Sequence, residues 1–161
     1  MAKIRRAVAW VTGFALLLMV PAAAWAEQVT DALLQQLAQD DKSIRECLAK
    51  IGPVQLKKVL EARRISLRQG SGVDIIVEVT QNPDGCFLCG AKGGTQYIYG
   101  QVGGHYRLLF STCVSDKVVP LNRFTRGLRD LKVSDPYSGT YQIFTFNGME
   151  YKEKKKPRDM P

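Results

Sequence analysis

The chain reads as an α+β protein in which short N-terminal helices pack on a twisted antiparallel β-sheet. Three features predict this. Apolar residues recur at helical spacing between positions 29 and 51, the period changes to two beyond position 65, and glycine-rich breaks separate the alternating runs.

In the helical part, Val29, Leu33, Leu34 and Leu37 form one group and Ile44, Cys47, Leu48 and Ile51 a second. Asp40, Asp41 and Ser43 between them are side chains that cap helices, and Gly52-Pro53 stops the second group. Positions 54–60 add a further turn or two, with Lys57-Lys58 and Arg63-Arg64 as a solvated face. Beyond them, Ile65 and Leu67 alternate with Ser66 and Arg68. Val73, Ile75, Val77 and Val79 alternate with Asp74, Ile76, Glu78 and Thr80, and Gln69-Gly70-Ser71-Gly72 lies between the two runs, which predicts a β-hairpin. Further strands are expected at 96–102, 106–111, 118–121, 128–133 and 140–146. Gly103-Gly104 and Asn147-Gly148 mark tight turns, the second joining 141–146 to 149–152.

The N-terminus has its own pattern. Lys3, Arg5 and Arg6 precede an apolar run over 7–20, and Ala24-Trp25-Ala26 supplies a small-x-small end, so 1–26 reads as a cleavable signal peptide with Glu27 as the first mature residue. The run is shorter than the ~20 residues that span a bilayer and is interrupted by Thr12, Gly13 and Pro21. No membrane span is therefore expected after cleavage, and the destination is periplasmic or secreted. Losing Lys3, Arg5 and Arg6 lowers the formal charge from +8 to +5. The expected organisation is one domain over 27–152, helical over 27–60 and mainly strands over 61–152, with a basic disordered tail over 153–161.

Four cysteines remain: Cys47, Cys86, Cys89 and Cys113. An even number in an oxidising compartment predicts two disulfides, with three connectivities open. The expected pairing is Cys86 with Cys89 as a loop clip and Cys47 with Cys113 as a long staple. Cys86-Phe87-Leu88-Cys89 has the spacing of a redox pair, but it follows Asn82-Pro83-Asp84-Gly85 and precedes Gly90, Gly93 and Gly94, whereas a thioredoxin-type pair opens a helix. A zinc site is not expected either, since Cys47 and Cys113 are single and His105 is the only histidine.

The strand half carries, in order, Ser66-Leu67-Arg68-Gln69-Gly70-Ser71, Asp74-Ile75-Ile76-Val77, Cys89-Gly90, Tyr97-Ile98-Tyr99, Gly104-His105-Tyr106-Arg107-Leu108-Leu109, Gly127-Leu128-Arg129-Asp130-Leu131 and Phe146-Asn147-Gly148-Met149-Glu150-Tyr151. Across 65–152 this series resembles a group of exported, mostly uncharacterised bacterial proteins whose core relates to the calcium-loop hairpins of integrin-type (FG-GAP or VCBS) propeller blades. The resemblance implies a hairpin whose loop, in the family, holds calcium with alternate Asp and Asn. Here Ser66, Arg68 and Gly70 occupy those places, so a calcium ion is not expected.

No catalytic set is legible and no cofactor is implied. His105 is expected as a hairpin-tip residue, and the carboxylates Asp74, Glu78, Asp84, Asp116, Asp130, Asp135 and Glu150 are scattered singly. Asp130 is expected to bond the amides of an adjacent turn. Tyr97 with Tyr99, and Phe144 with Phe146, each fall on one face of a strand. An exposed aromatic set beside Arg107, Arg123, Arg126 and Arg129 would make a binding surface, with Tyr97, Tyr99, His105, Arg107, Arg126, Arg129 and Asp130 as candidates. The expectation is a non-enzymatic domain that binds a protein or anionic envelope partner through its sheet face and loops. The rival is an envelope hydrolase using His105 and the carboxylates, and a thiol-redox factor on Cys86 and Cys89 is a third. Nucleic acid is excluded as a partner by export and by the lack of a recognition motif.

Overall fold

A computed structural model describes residues 26–70, 72–88, 94–113, 118–135 and 138–154. The signal stretch up to Trp25, Ser71, Cys89-Gly90, Gly93, Asp116, Tyr137 and the tail from Lys155 lie outside these residues. The order of elements is β1 (Ala26–Glu27), α1 (Asp31–Asp40), α2 (Lys42–Lys57), β2 (Leu60–Ile65), β3 (Asp74–Val79), β4 (Gln96–Val102), β5 (His105–Thr112), β6 (Val118–Thr125), β7 (Leu128–Ser134), β8 (Tyr141–Phe146) and β9 (Tyr151–Glu153). The α+β class is as expected, but the strands make two sheets where one was predicted. One sheet has the order β1-β2-β3-β4-β5 and the other β6-β7-β8-β9, every pair antiparallel.

The helices begin where capping side chains allow. Thr30 Oγ1 accepts from the Leu33 amide at the start of α1. Asp41 ends α1, its amide donating to Leu37 O, and at once caps α2, its carboxylate accepting from the Ser43 and Ile44 amides. One residue thus makes the whole turn between helices. Gly52 leaves helical geometry at φ +77, and after this kink Pro53 opens a last turn that runs to Lys57. The predicted stop and the predicted extra turn are both present.

Alternation along β3 and β4 builds a three-layer body. Ile75, Val77, Val79, Tyr97 and Tyr99 point to the helices, where Leu33, Leu34, Leu37, Ile44 and Leu56 meet them in one apolar cluster. Ile76 and Ile98 point the other way, onto Leu128, Leu131, Val133 and Tyr151 of the second sheet. The central strands are therefore covered on both sides. A bulge in β5 strengthens the second contact: Ile98 faces Phe110 and Tyr99 faces Leu108, so Leu109 is the extra residue, and both Leu109 and Phe110 join the sheet–sheet core.

The hairpins follow their turn residues with two exceptions. Gly103 and Gly104, both at positive φ, close a two-residue turn between Val102 and His105, and Arg126-Gly127 does the same between β6 and β7. Between β8 and β9 the predicted two-residue turn is a four-residue loop instead. Asn147 Oδ1 accepts from the Met149 and Glu150 amides and its own amide donates to Glu150 O, so pairing resumes only at Phe146 with Tyr151. Likewise the first predicted hairpin, 65–67 with 73–79, is instead β2 over 60–65 paired with β3 across a longer loop, Ile65 facing Asp74.

That loop stitches the sheets together. Arg68 bridges to Leu128, and the Arg129 amide donates to Leu67 O.

The cysteine pairing corrects the expectation. Cys47 in α2 is joined to Cys86, with Cα atoms 5.5 Å apart. This excludes both Cys86–Cys89 and Cys47–Cys113. Cys113 is also disulfide-bonded, and Cys89 lies outside the described residues. The expected clip failed because a Cys-x-x-Cys in an irregular loop has no local reason to close on itself when buried Cys47 stands within disulfide reach. The 39-residue separation gives this bridge a chain-entropy contribution of about 4 kcal/mol.

Candidate functional site

The least ordinary chemistry sits where the two sheets meet. Asp74 opens β3 and Asp130 lies in β7, and both are fully buried. Each takes an arginine from the rim: Arg68 Nε donates to Asp74 Oδ1 at 3.1 Å, and Arg123 Nε donates to Asp130 Oδ2. Arg68 reaches Asp74 by crossing Gly100, where a Cβ would lie 2.6 Å from its guanidinium and 3.2 Å from Asp74 Oδ1. The glycine is therefore a space requirement. Among the described residues, Asp74 Oδ2 and Asp130 Oδ1 are buried oxygens without a hydrogen-bond partner. Tyr151 donates its hydroxyl proton to Arg129 O. Burial first, then the charges of Asp74 and Asp130, pushes its phenol well above the ordinary range.

Two buried carboxylates each held by a cation are a poor acid–base pair. A guanidinium balances the charge of each. Among the described residues no three His, Cys, Asp or Glu side chains come together as a metal-binding group.

The predicted binding residues are dispersed. Tyr97 and Tyr99 lie in the core beneath the helices and not on an open face, because the apolar neighbours Ile75 and Val77 share that side of the sheet. Their hydroxyls reach out to the helix junction, Tyr97 donating to Asp41 Oδ2 at 2.7 Å and Tyr99 to Asp40 Oδ2 at 3.1 Å. Burial, followed by these carboxylates, raises both phenols far above their usual value. Arg107 donates to Met149 O and Arg126 to Asn147 O, so both hold the β8–β9 loop by its carbonyls. Arg129 donates to Asn122 and lies 5.2 Å over the Phe124 ring. Asp130 takes Arg123 and not the turn amides expected of it. His105 is exposed at its hairpin tip, as predicted.

The outer face of the four-stranded sheet is built differently. Register places Val119, Lys132 and Ile143 in one row, with Tyr141 beside Ser134 and Lys152 beside Thr145, all turned away from the core. Val119 is 45 % and Tyr141 57 % exposed. Lys132 Nζ stands 4.6 Å over the Tyr141 ring. The helices pack on the far side of the other sheet and leave this face open. It combines apolar and aromatic surface with cations, the composition sought at Tyr97 and Tyr99 and found one layer away.

A smaller cleft of about 250 Å³ borders the Cys47–Cys86 bridge, with Glu46, Lys50 and Phe87 around it. Phe87 is 81 % exposed, and Lys50 closes the wall by donating to Gly85 O at 2.6 Å. No helix among the described residues is long and apolar enough to cross a membrane. Set against known proteins, the chain matches no family model, no curated protein and no solved structure.

Proposed function

We propose that the protein is an exported domain, periplasmic or secreted, that works by binding. It takes a protein or an anionic envelope component on the outer face of the four-stranded sheet and the loops around it. The observation that carries this reading is the open row of Val119, Tyr141 and Ile143 interleaved with Lys132 and Lys152. Cations over aromatic rings on an uncovered sheet attract an anionic partner and then exclude water from the contact. The export pattern at the N-terminus and the Cys47–Cys86 disulfide both accord with an oxidising compartment.

The resemblance to calcium-loop hairpins fits this account in one respect. Arg68 stands where the family places an oxygen ligand, and its guanidinium lies against Asp74, so the chain's own cation serves where the pattern has calcium.

Sedimentation of the purified protein with envelope fractions and with anionic or neutral vesicles tests the reading. Binding to an anionic component is expected to weaken at least tenfold in Lys132→Glu and in Tyr141→Ala, about 1.4 kcal/mol each. Unchanged binding in both variants would sink the proposal, as would turnover of a cell-wall substrate that disappears in His105→Ala.

A further inference from the structure

Four strand edges bound the two sheets, and three are blunted. β1 has two residues, β9 has three, and β6 carries Pro120 next to a break in register. Short edges, proline and bulges are how sheets avoid unwanted pairing. The fourth edge, β5, is eight residues long, contains neither proline nor lysine, and among the described residues pairs only with β4. Its one irregularity, the extra residue Leu109, turns an additional apolar side chain toward the second sheet.

Beside β5 runs a cleft of about 260 Å³ between the two sheets, with Leu109, Phe110 and Ser111 on one wall and Phe144, Tyr151 and Lys152 on the other. Its rings are already ordered: Phe110 meets Phe144 edge-to-face at 4.9 Å and Tyr151 at 6.1 Å. Met149, next in the chain to the lining residue Glu150, is 68 % exposed, a flexible side chain suited to variable partners, and Arg107 is fixed to it by donating to Met149 O. β5 carries His105 and Arg107 and no carboxylate, while nearby Glu150 is paired with Lys152 at 2.8 Å.

We propose that β5 is an acceptor edge that takes an extended segment of a partner protein, with apolar residues at alternate positions and an acidic residue on that same face at one end, as a sixth strand of the central sheet. Main-chain hydrogen bonds to β5 would supply affinity. Apolar side chains on the inner face of the added strand would cover Phe110, Phe144 and Tyr151, and the acidic residue at the end of that face would meet Arg107. Charge favours this occupant over a second copy, because self-pairing would bring two basic chains and their Arg107 side chains together. The inference does not depend on the outer-face reading: Lys152 borders both surfaces, but β5, Phe110 and Arg107 belong to the edge and Val119, Lys132 and Tyr141 to the face.

The test uses synthetic peptides of about eight residues, the length of β5, with valine or phenylalanine at alternate positions, one glutamate on that same face at the end that meets Arg107, and serine or threonine between. Two N-methylated versions carry the methyl groups on one or the other alternate set of amides. Hydrogen exchange of the purified protein is expected to slow in β5 when peptide is present. One N-methylated version is expected to bind at least tenfold more weakly and the other nearly as well, because only one set of amides faces β5. Arg107→Glu should weaken the acidic peptide and strengthen a lysine analogue, with circular dichroism unchanged, and Tyr141→Ala should leave both untouched. The proposal fails if no peptide binds, if both N-methylated versions bind alike, or if protection appears on the outer face of the second sheet. It also fails if the β5 amides are already protected in a dimer of the free protein.

Discussion

The two faces of the central sheet solve the same problem in opposite ways. Toward the helices, the polar ends of buried residues travel outward: Tyr97 and Tyr99 fill the core with their rings and deliver their hydroxyls to Asp41 and Asp40 at the helix junction. Toward the second sheet, Asp74 and Asp130 stay buried, and the cations Arg68 and Arg123 come in from the rim. The first arrangement leaves its carboxylates near water. The second makes each buried anion depend on a single arginine.

The comparison can be broken most severely from the helix side. Opening the Cys47–Cys86 bridge with a Cys47→Ala, Cys86→Ala pair should lower stability by about 4 kcal/mol in denaturant unfolding, since the bridge ties α2 to the loop after β3.

High pH should act on both faces at once. The phenols of Tyr97, Tyr99 and Tyr151 are raised in the folded chain above their ordinary 10.0, so the unfolded chain loses those protons first. Their contribution is complete below pH 10.0 and declines as pH rises beyond it, by up to about 4 kcal/mol per pH unit for three groups. Thermal melts above and below that value, compared with Tyr97→Phe and Tyr151→Phe, should show the slope shrinking by about one proton per variant.

The sheet–sheet side predicts an asymmetry between partners. Arg68→Met strands a buried carboxylate and should cost about 3 kcal/mol, whereas Asp74→Asn frees an arginine that can turn to water and should cost less. Replacing both, as Arg68→Met with Asp74→Leu, should recover most of the loss. If the two single variants cost the same, the dependence of anion on cation is wrong.

Asp41→Ala removes a helix cap and the Tyr97 anchor together, for about 2 kcal/mol. Tyr97→Phe removes only the anchor and should cost about 1 kcal/mol.

Much of the fold was written in periodicity. The helices, the change of period and most strand positions followed from apolar spacing, and Gly103-Gly104 made the turn its residues demand. The second sheet was announced by Ile76 and Ile98, which occupy positions that alternation gives to solvent in a one-faced sheet. Two residues are a faint signal, and the layer they pack against comes from strands some 20 to 75 positions later. Arg68 with Asp74 and Arg123 with Asp130 are only 6 and 7 positions apart, but each pair meets across a turn, and no fixed spacing singles them out among the other charges. Tyr97 and Tyr99 were correctly placed on one face, but whether that face met helices or water depended on a packing choice that local sequence does not encode. The disulfides illustrate the same limit, because proximity in sequence favoured Cys86 with Cys89 while the position of α2 decided for Cys47.

Every pairing in both sheets joins strands that follow one another along the chain. Such an order lets each meander zip up through short loop closures, with little entropy lost at each step, before the layers need to find one another. The late event is then the docking of the layers, where the Arg68 to Leu128 bridge forms and the two arginine–aspartate clasps, each made within its own layer, become buried. Until that moment each half carries a naked apolar side, and the interval between zipping and docking is when the chain is most exposed to aggregation.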